Sequence, residues 1–169
     1  GDSVPWLVMS TLDTTSGATP AKLDAQRTGV GRVAQAYPMD SYHQLAFPAT
    51  RLGVTPQHEL ITQVSAFFNK LKPDTVYLPY RNDAHSDHES VFDAVVACAK
   101  SFRHPFVKKL RAYETLSETE FGFRPEDRGF RPNLWIDISA FLERKLAILT
   151  LYKEEMGEDV SEEMEPELY

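Results

Sequence analysis

Apolar positions change their period several times along the chain of 169 residues. The run Val4-Pro5-Trp6-Leu7-Val8-Met9 is β-rich and stops at the polar cluster Ser10 to Ser16, which predicts a first strand. Between Thr19 and Arg51, Ala21 to Ala36 is compatible with a helix that Gly29 and Gly31 interrupt and Pro38 closes. Thr55 offers an N-cap with Pro56 at the first helical position, and Leu60, Ile61, Val64, Phe67, Phe68 and Leu71 then recur along one helical stripe. Pro73-Asp74 ends that helix, and Thr75-Val76-Tyr77-Leu78, closed by Pro79, fits a buried parallel strand.

The polar loop Arg81 to Asp87 comes next, followed by Val91, Phe92, Val95, Val96 and Ala99 on one helical face. Phe106 to Thr115 and Leu134 to Ile138 read as further strands, separated by the Gly- and Pro-bearing loop Ser117 to Pro132. Ser139 is expected to cap a last helix carrying Phe141, Leu142, Ile148, Leu149 and Tyr152, and the acidic tail Glu154 to Tyr169 is expected to fray or to pack on something absent from this sequence. Strands alternating with helices predict an α/β fold of βαβ units on a mostly parallel sheet, which binds ligands at the carboxyl ends of its strands. The loop 81 to 87 occupies such a position, and no internal repeat is present.

Composition narrows the partners. A balance of 42% hydrophobic and 25% charged residues suits one globular domain, expected over residues 1–155 with 156–169 as a tail. A formal charge of -7 disfavours a nucleic-acid partner, because phosphate binding needs clustered cations and Lys108, Lys109 and Arg111 make only a short patch. The single cysteine, Cys98, sits in the apolar run Val95 to Ala99 and reads as a buried small hydrophobe in a reducing compartment. No apolar stretch approaches the roughly 18 to 20 residues of a membrane span, and no signal peptide is recognisable, so a cytoplasmic location is expected. The absence of a Gly-rich phosphate loop and of a G-x-S-x-G elbow argues against nucleotide binding and serine hydrolysis.

Chemistry concentrates in Asp83-Ala84-His85-Ser86-Asp87-His88-Glu89, where two histidines and three carboxylates meet at a strand-to-helix junction. Ser86 and Glu89 have the spacing of a capping box, which puts His88 in the first helical turn and leaves His85 in the loop. Two imidazoles so placed can reach one cation, with a carboxylate fixing the tautomer of a ligand: Asp87 could orient one ring and Asp83 could hold the loop. The alternative is a helix cap beside two solvated surface histidines, and spacing alone does not decide between them.

The loop and its flanks resemble the second motif of the LmbE/PIG-L family of zinc-dependent N-deacetylases. The likeness extends through Lys72-Pro73-Asp74-Thr75-Val76-Tyr77 before the loop, and through Tyr113-Glu114-Thr115, Phe130-Arg131-Pro132-Asn133 and Asp137-Ile138-Ser139 after it. Arg27, Leu45, Phe47, Pro48, Lys145 and Tyr152 also resemble family positions, so the likeness covers about residues 1 to 155. The resemblance implies a three-layer Rossmann-like sandwich and removal of an acetyl group from an N-acetylglucosamine-type sugar or a related N-acyl compound. It further implies a Zn2+ or other divalent ion held by His88, with His85 as acid or oxyanion-stabilising group, Asp87 as the partner orienting His85, and Arg27 as a substrate contact.

Departures from the family pattern accompany the likeness. Members begin with a strand ending in His-Pro-Asp-Asp, which supplies two further ligands and the general base, and this sequence contains no such motif. Gly1-Asp2 corresponds to the turn after the family's first helix, so a strand and a helix look removed as a block. His104-Pro105 lies in the wrong part of the chain to replace the motif and reads as a loop, the family's C-terminal segment is not recognisable in Gly157 to Tyr169, and Val30 stands where a Glu is usual. A non-catalytic sugar-binding or regulatory relative, or another metal hydrolase such as a phosphoesterase, are the rival readings. His43 and His58 lack a carboxylate motif and read as surface or helix-face residues, while Trp6 and Trp135 lie in β-rich runs and are expected in the core.

Overall fold

The computed structural model describes residues 3–14, 18–123 and 129–156, with helix side chains described to residue 151. The tail expected beyond Met156 lies outside the described residues. Contacts divide the chain into two compact units, residues 1–49 with 132–169, and residues 50–131. Each combines helices with a parallel strand pair, so the α/β reading holds.

In the first unit, β1 (Pro5–Thr11) pairs in parallel with β2 (Ser41–Pro48), from Pro5 opposite Ser41 to Thr11 opposite Pro48, with a shift of register between Val8 and Ser10. The strand therefore runs two residues into the polar cluster expected to stop it, because Ser10 and Thr11 find ladder partners in Phe47 and Pro48. The connection is α1 (Pro20–Ala36), whose first turn is capped by Thr19 Oγ1 accepting from Lys22 N at 3.3 Å. The helix passes through Gly29 and Gly31 without a break. A Cβ at Gly31 would meet Tyr42 Oη at 3.1 Å, so this glycine lets α1 lie close to β2. Val30, Val33 and Ala34 are buried along the same helix.

A short 3-10 turn (Ser139–Phe141) leads into α4 (Leu142–Met156), which packs on α1, buries Ile148 and donates from Arg144 to Ala36 O at 2.7 Å. Ser139 does not cap as expected: its N–H and Oγ both donate to Asp137 Oδ1, at 2.9 and 2.6 Å. These two bonds hold the Asp137 carboxyl below its ordinary value. The strand expected over Leu134 to Ile138 is absent, since the run meets no ladder partner among the described strands. Propensity favours a strand there, but a strand exists only as a pairing. Trp135 is accordingly 74% exposed instead of in the core, and Trp6 is half-buried.

The second unit opens with a 3-10 turn (Leu52–Val54) and α2 (Gln57–Leu71), followed by β3 (Thr75–Pro79), α3 (Ser86–Cys98) and β4 (Lys109–Tyr113). Pro56, not Thr55, takes the N-cap position of α2, because Thr55 Oγ1 donates back to Arg51 O at 3.2 Å. The predicted stripe of α2 is the packing face: Leu60, Val64 and Phe68 are buried, and α2 packs on α3, which buries Ala94, Val95 and Cys98. Full burial of side chains of this size contributes about 1.5–3 kcal/mol each. Cys98 is inaccessible, its Sγ 3.4 Å from Ile61 O, and burial pushes its thiol up. His104 is a buried pin: Nδ1 bonds to Cys98 O at 2.8 Å, Nε2 lies 3.3 Å from Ser65 Oγ, and the ring meets Phe68 edge-on.

Strands β3 and β4 pair in parallel, Thr75 opposite Lys109 through Pro79 opposite Tyr113, shorter than the expected span 106–115. Both carboxyl ends lead into loops that close on each other. Ala84 N donates to Glu118 O at 2.9 Å, and Gly122 lies so near the first loop that a Cβ there would come within 2.1 Å of Asn82 O. On the other side of α3, the buried Asp87 carboxylate accepts from Thr50 N at 2.7 Å and Leu52 N at 2.9 Å, which ties the start of the helix to the 3-10 turn. Arg81 bridges the loop to α3 through Asp93, at 2.7 and 2.9 Å, and through Glu89 at 2.8 Å.

Two substitutions test this framework. Gly122→Ala places a methyl against backbone that no rotamer change can move away, and is expected to cost about 1–3 kcal/mol in urea unfolding. Asp87→Asn leaves either the Thr50 or the Leu52 N–H facing an amide N–H, and is expected to cost about 1–3 kcal/mol, with a lowered midpoint and an unchanged m value. A stability equal to that of the parent in either variant would remove that contact from the framework.

Candidate functional site

Each chemical group of the loop is held by a different element. The imidazole of His85, at the N-cap of α3, accepts at Nδ1 from Asp87 N at 3.1 Å. The cap is thus the histidine itself rather than the Ser86–Glu89 box, because an Nδ1 lone pair can satisfy one of the orphan N–H groups of a first helical turn. An Nδ1 that accepts carries no proton, so the ring proton of His85 sits on Nε2. The imidazole therefore presents an N–H donor at its far edge.

His88 has the opposite arrangement. It lies in the first turn of α3, as its spacing predicts, and its Nδ1 is 2.7 Å from Asp83 Oδ2. A carboxylate can only accept, so His88 Nδ1 donates, and in the neutral ring Nε2 is then the nitrogen with the lone pair. The Asp83 side chain is wholly buried, whereas 24% of the His88 side chain is accessible. The two rings stack with centroids 5.3 Å apart and planes 26° apart. One short loop thus offers an N–H donor and a nitrogen lone pair on neighbouring rings.

The carboxylates divide their work differently from the sequence-based expectation. That expectation has Asp87 orient His85 with its side chain, but the carboxylate is committed to Thr50 N and Leu52 N, and Asp87 meets His85 through its backbone N–H. Asp83, expected to hold the loop, bonds the His88 ring and also accepts from Thr119 Oγ1 at 2.7 Å. Thr119 lies 36 residues away, and no sequence signal links it to this carboxylate.

Tyr113, at the end of β4, feels the charge of this group. Although 46% of the residue remains accessible, burial and then the negative charge of Asp83 push its phenol up, which keeps the hydroxyl protonated. Arg27 belongs to the first unit and is exposed on α1. Lys145, also in that unit, lines an apolar groove with Tyr37, Pro38, Ile138, Phe141 and Arg144, a lining with no histidine or carboxylate for hydrolytic chemistry. Val30 is core in α1, and Tyr152 lies beyond the described side chains. His58 is exposed on α2 and His43 is half-buried on β2.

The fit to a metal is that of a single ligand. His88, with Nδ1 anchored and Nε2 open, has the form of a carboxylate-supported ligand. Among the described residues no group of three or more His, Cys, Asp or Glu is placed to hold an ion, whereas a catalytic zinc usually takes three protein ligands. Among the described residues, no helix is long and apolar enough to cross a membrane.

Comparison with known proteins places this loop in a family. The solved structure of the conserved protein TT1542 from Thermus thermophilus is similar at 23% identity and a TM-score of 0.66, over 95% of this chain and 70% of that one. The N,N'-diacetylchitobiose deacetylase from Pyrococcus horikoshii, solved with its inhibitor MPG, is similar at 19% identity and a TM-score of 0.67, over 97% of this chain and 64% of that one. This chain therefore spans less than two thirds of the second protein's length. At these identities the two structures establish the fold alone. No curated protein matches the sequence. The sequence model described as PIG-L: GlcNAc-PI de-N-acetylase matches residues 9–99, a stretch containing the end of β1, α1, β2, the second-unit helix pair and the loop 81 to 88, and the chain belongs to the PIG-L family.

Proposed function

We propose that this chain is part of a hydrolase that removes the acetyl group from an N-acetylglucosamine-type sugar or a related N-acyl compound. The observation that carries the reading is the pair of imidazoles following β3, His85 held at Nδ1 by Asp87 N and His88 held at Nδ1 by Asp83, in a chain of the PIG-L family. The deacetylase activity in the printed names of the family and of the Pyrococcus horikoshii protein supports it. The reaction adds water across the amide C–N bond and yields acetate and a free amine.

Within that reaction His85 acts as a donor. Its Nε2–H, fixed because Nδ1 is occupied by Asp87 N, is available to the carbonyl oxygen as negative charge develops there. Asp87 holds the first turn of α3 in place, and so acts on His85 through the backbone. His88 Nε2 is one ligand position for a divalent ion, with Asp83 behind it. A zinc or similar ion bound there, with further ligands, would lower the pKa of a bound water and polarise the carbonyl. Arg27 is a substrate contact in this reading. The family's likeness also supports a three-layer sandwich and a small-molecule substrate.

A second reading is a sugar-binding or regulatory member without turnover, and the one-ligand fit favours it for the chain in isolation. Zinc content by mass spectrometry after dialysis against trace zinc, beside release of free amine from N-acetylglucosamine, separates the two. Near-stoichiometric zinc that is lost in His88→Ala, with amine release lost alongside, is the result expected of the hydrolase. His85→Ala is expected to keep the zinc and lose amine release by about 10²–10³-fold, as removal of an oxyanion donor does. Saturable sugar binding with no zinc and no amine release in the parent chain would instead establish the non-catalytic reading.

A further inference from the structure

We propose that Thr119 is a positioning residue for the site: it orients the Asp83 carboxylate and thereby fixes His88 in the tautomer that leaves Nε2 free. The inference rests on the reading of His88 as a ligand, but its physical content is a hydrogen-bond relay that stands or falls without any metal.

The relay is built from buried groups. Thr119 Oγ1 accepts from Thr115 N at 2.8 Å. A hydroxyl has one proton to give, and here it goes to Asp83 Oδ1 at 2.7 Å. Asp83 Oδ2 is left for His88 Nδ1 at 2.7 Å. Asp83 and Thr119 are 4% and 9% exposed, so water is not an equivalent substitute for either partner. An Asp83 carboxylate without Thr119 would keep its His88 bond but lose the contact that sets its rotation. A carboxylate free to turn holds the imidazole less tightly.

The surrounding turn is arranged to deliver that hydroxyl. Residues 115–122 fold back on themselves through Thr119 N to Thr115 O at 2.9 Å and Gly122 N to Thr119 O at 3.2 Å. The turn is then clasped to the loop 81 to 88 by Ala84 N donating to Glu118 O, and by the close approach of Gly122 to Asn82 O. Two main-chain contacts thus flank the side-chain contact on either side. Glu120 spends its carboxylate within the turn, accepting from Ser117 N at 2.6 Å, so the turn meets Asp83 through the Thr119 hydroxyl.

The test is the tautomer of His88, read from long-range nitrogen–proton correlation spectra of the histidine-labelled chain at about pH 8, where a free imidazole is neutral. His88→Gln assigns the signal. In the parent, His88 is expected as a single Nδ1–H form. Thr119→Val, which keeps the shape and removes the hydroxyl, is expected to give a mixture of tautomers, and Thr119→Ser to restore the single form. Where amine release is measurable, Thr119→Val is expected to lower kcat about tenfold, the low end for loss of an outer partner of a ligand, with Thr119→Ser near the parent.

An Nε2–H form of His88 in the folded parent would overturn the relay outright, whether or not the valine variant folds. A single Nδ1–H form that survives in folded Thr119→Val would overturn the role of Thr119. If the tautomer responds as expected but His88→Ala retains its zinc and its amine release, the relay stands and the ligand reading fails.

Discussion

A carboxylate with no access to solvent sits at the centre of the second unit, and the loops around it are shaped by its need for partners. Burying a charge without partners costs several kcal/mol or more, so the Asp83 side chain must find donors on both oxygens. It finds them in His88 and Thr119, which come from the first turn of α3 and from the turn beyond β4. The parallel pairing of β3 and β4 brings these two loops to the same end of the unit. Satisfying Asp83 therefore joins the two strand–loop connections, and the imidazole that could meet a ligand is one of the groups so joined.

The same double use of groups recurs at the start of α3. Asp87 accepts from Thr50 N and from Leu52 N at the start of the 3-10 turn, while its own N–H is closed by His85. A hydrogen bond that a helix needs at its N-terminus is here made by the His85 imidazole, a group of the candidate site. The consequence is that the two imidazoles are held through opposite bonds at Nδ1, His85 accepting there from Asp87 N and His88 donating there to Asp83. It also explains why a capping-box reading of Ser86 and Glu89 misses the arrangement: the nearer imidazole reaches the orphan N–H first.

Membership of the PIG-L family and the likeness of fold to two solved structures agree with this local picture. The family match includes the loop 81 to 88. The described residues supply one ligand-ready histidine, and the proposed metal centre needs more than that. In the first unit, the apolar groove lined by Tyr37, Phe141 and Lys145 has no group able to activate water.

Much of the fold was legible in the sequence. The helical stripe Leu60, Val64, Phe68 became the buried face of α2, the run Thr75 to Leu78 became β3, and Cys98 became core. These features depend on side-chain period and burial, which a sequence carries directly. The density of His and Asp between 83 and 88 marked the site, and His88 in the first helical turn followed from spacing alone. What only the tertiary structure decided were pairings between distant groups. Leu134 to Ile138 has strand propensity but no ladder partner among the described strands, Gly31 is a contact to Tyr42 rather than a break in α1, and Asp83 rather than Asp87 holds a histidine ring. Residue type fixes what a carboxylate or a strand can bond; which donor stands 2.7 Å away is set by loops that the packing of strands and helices brings together.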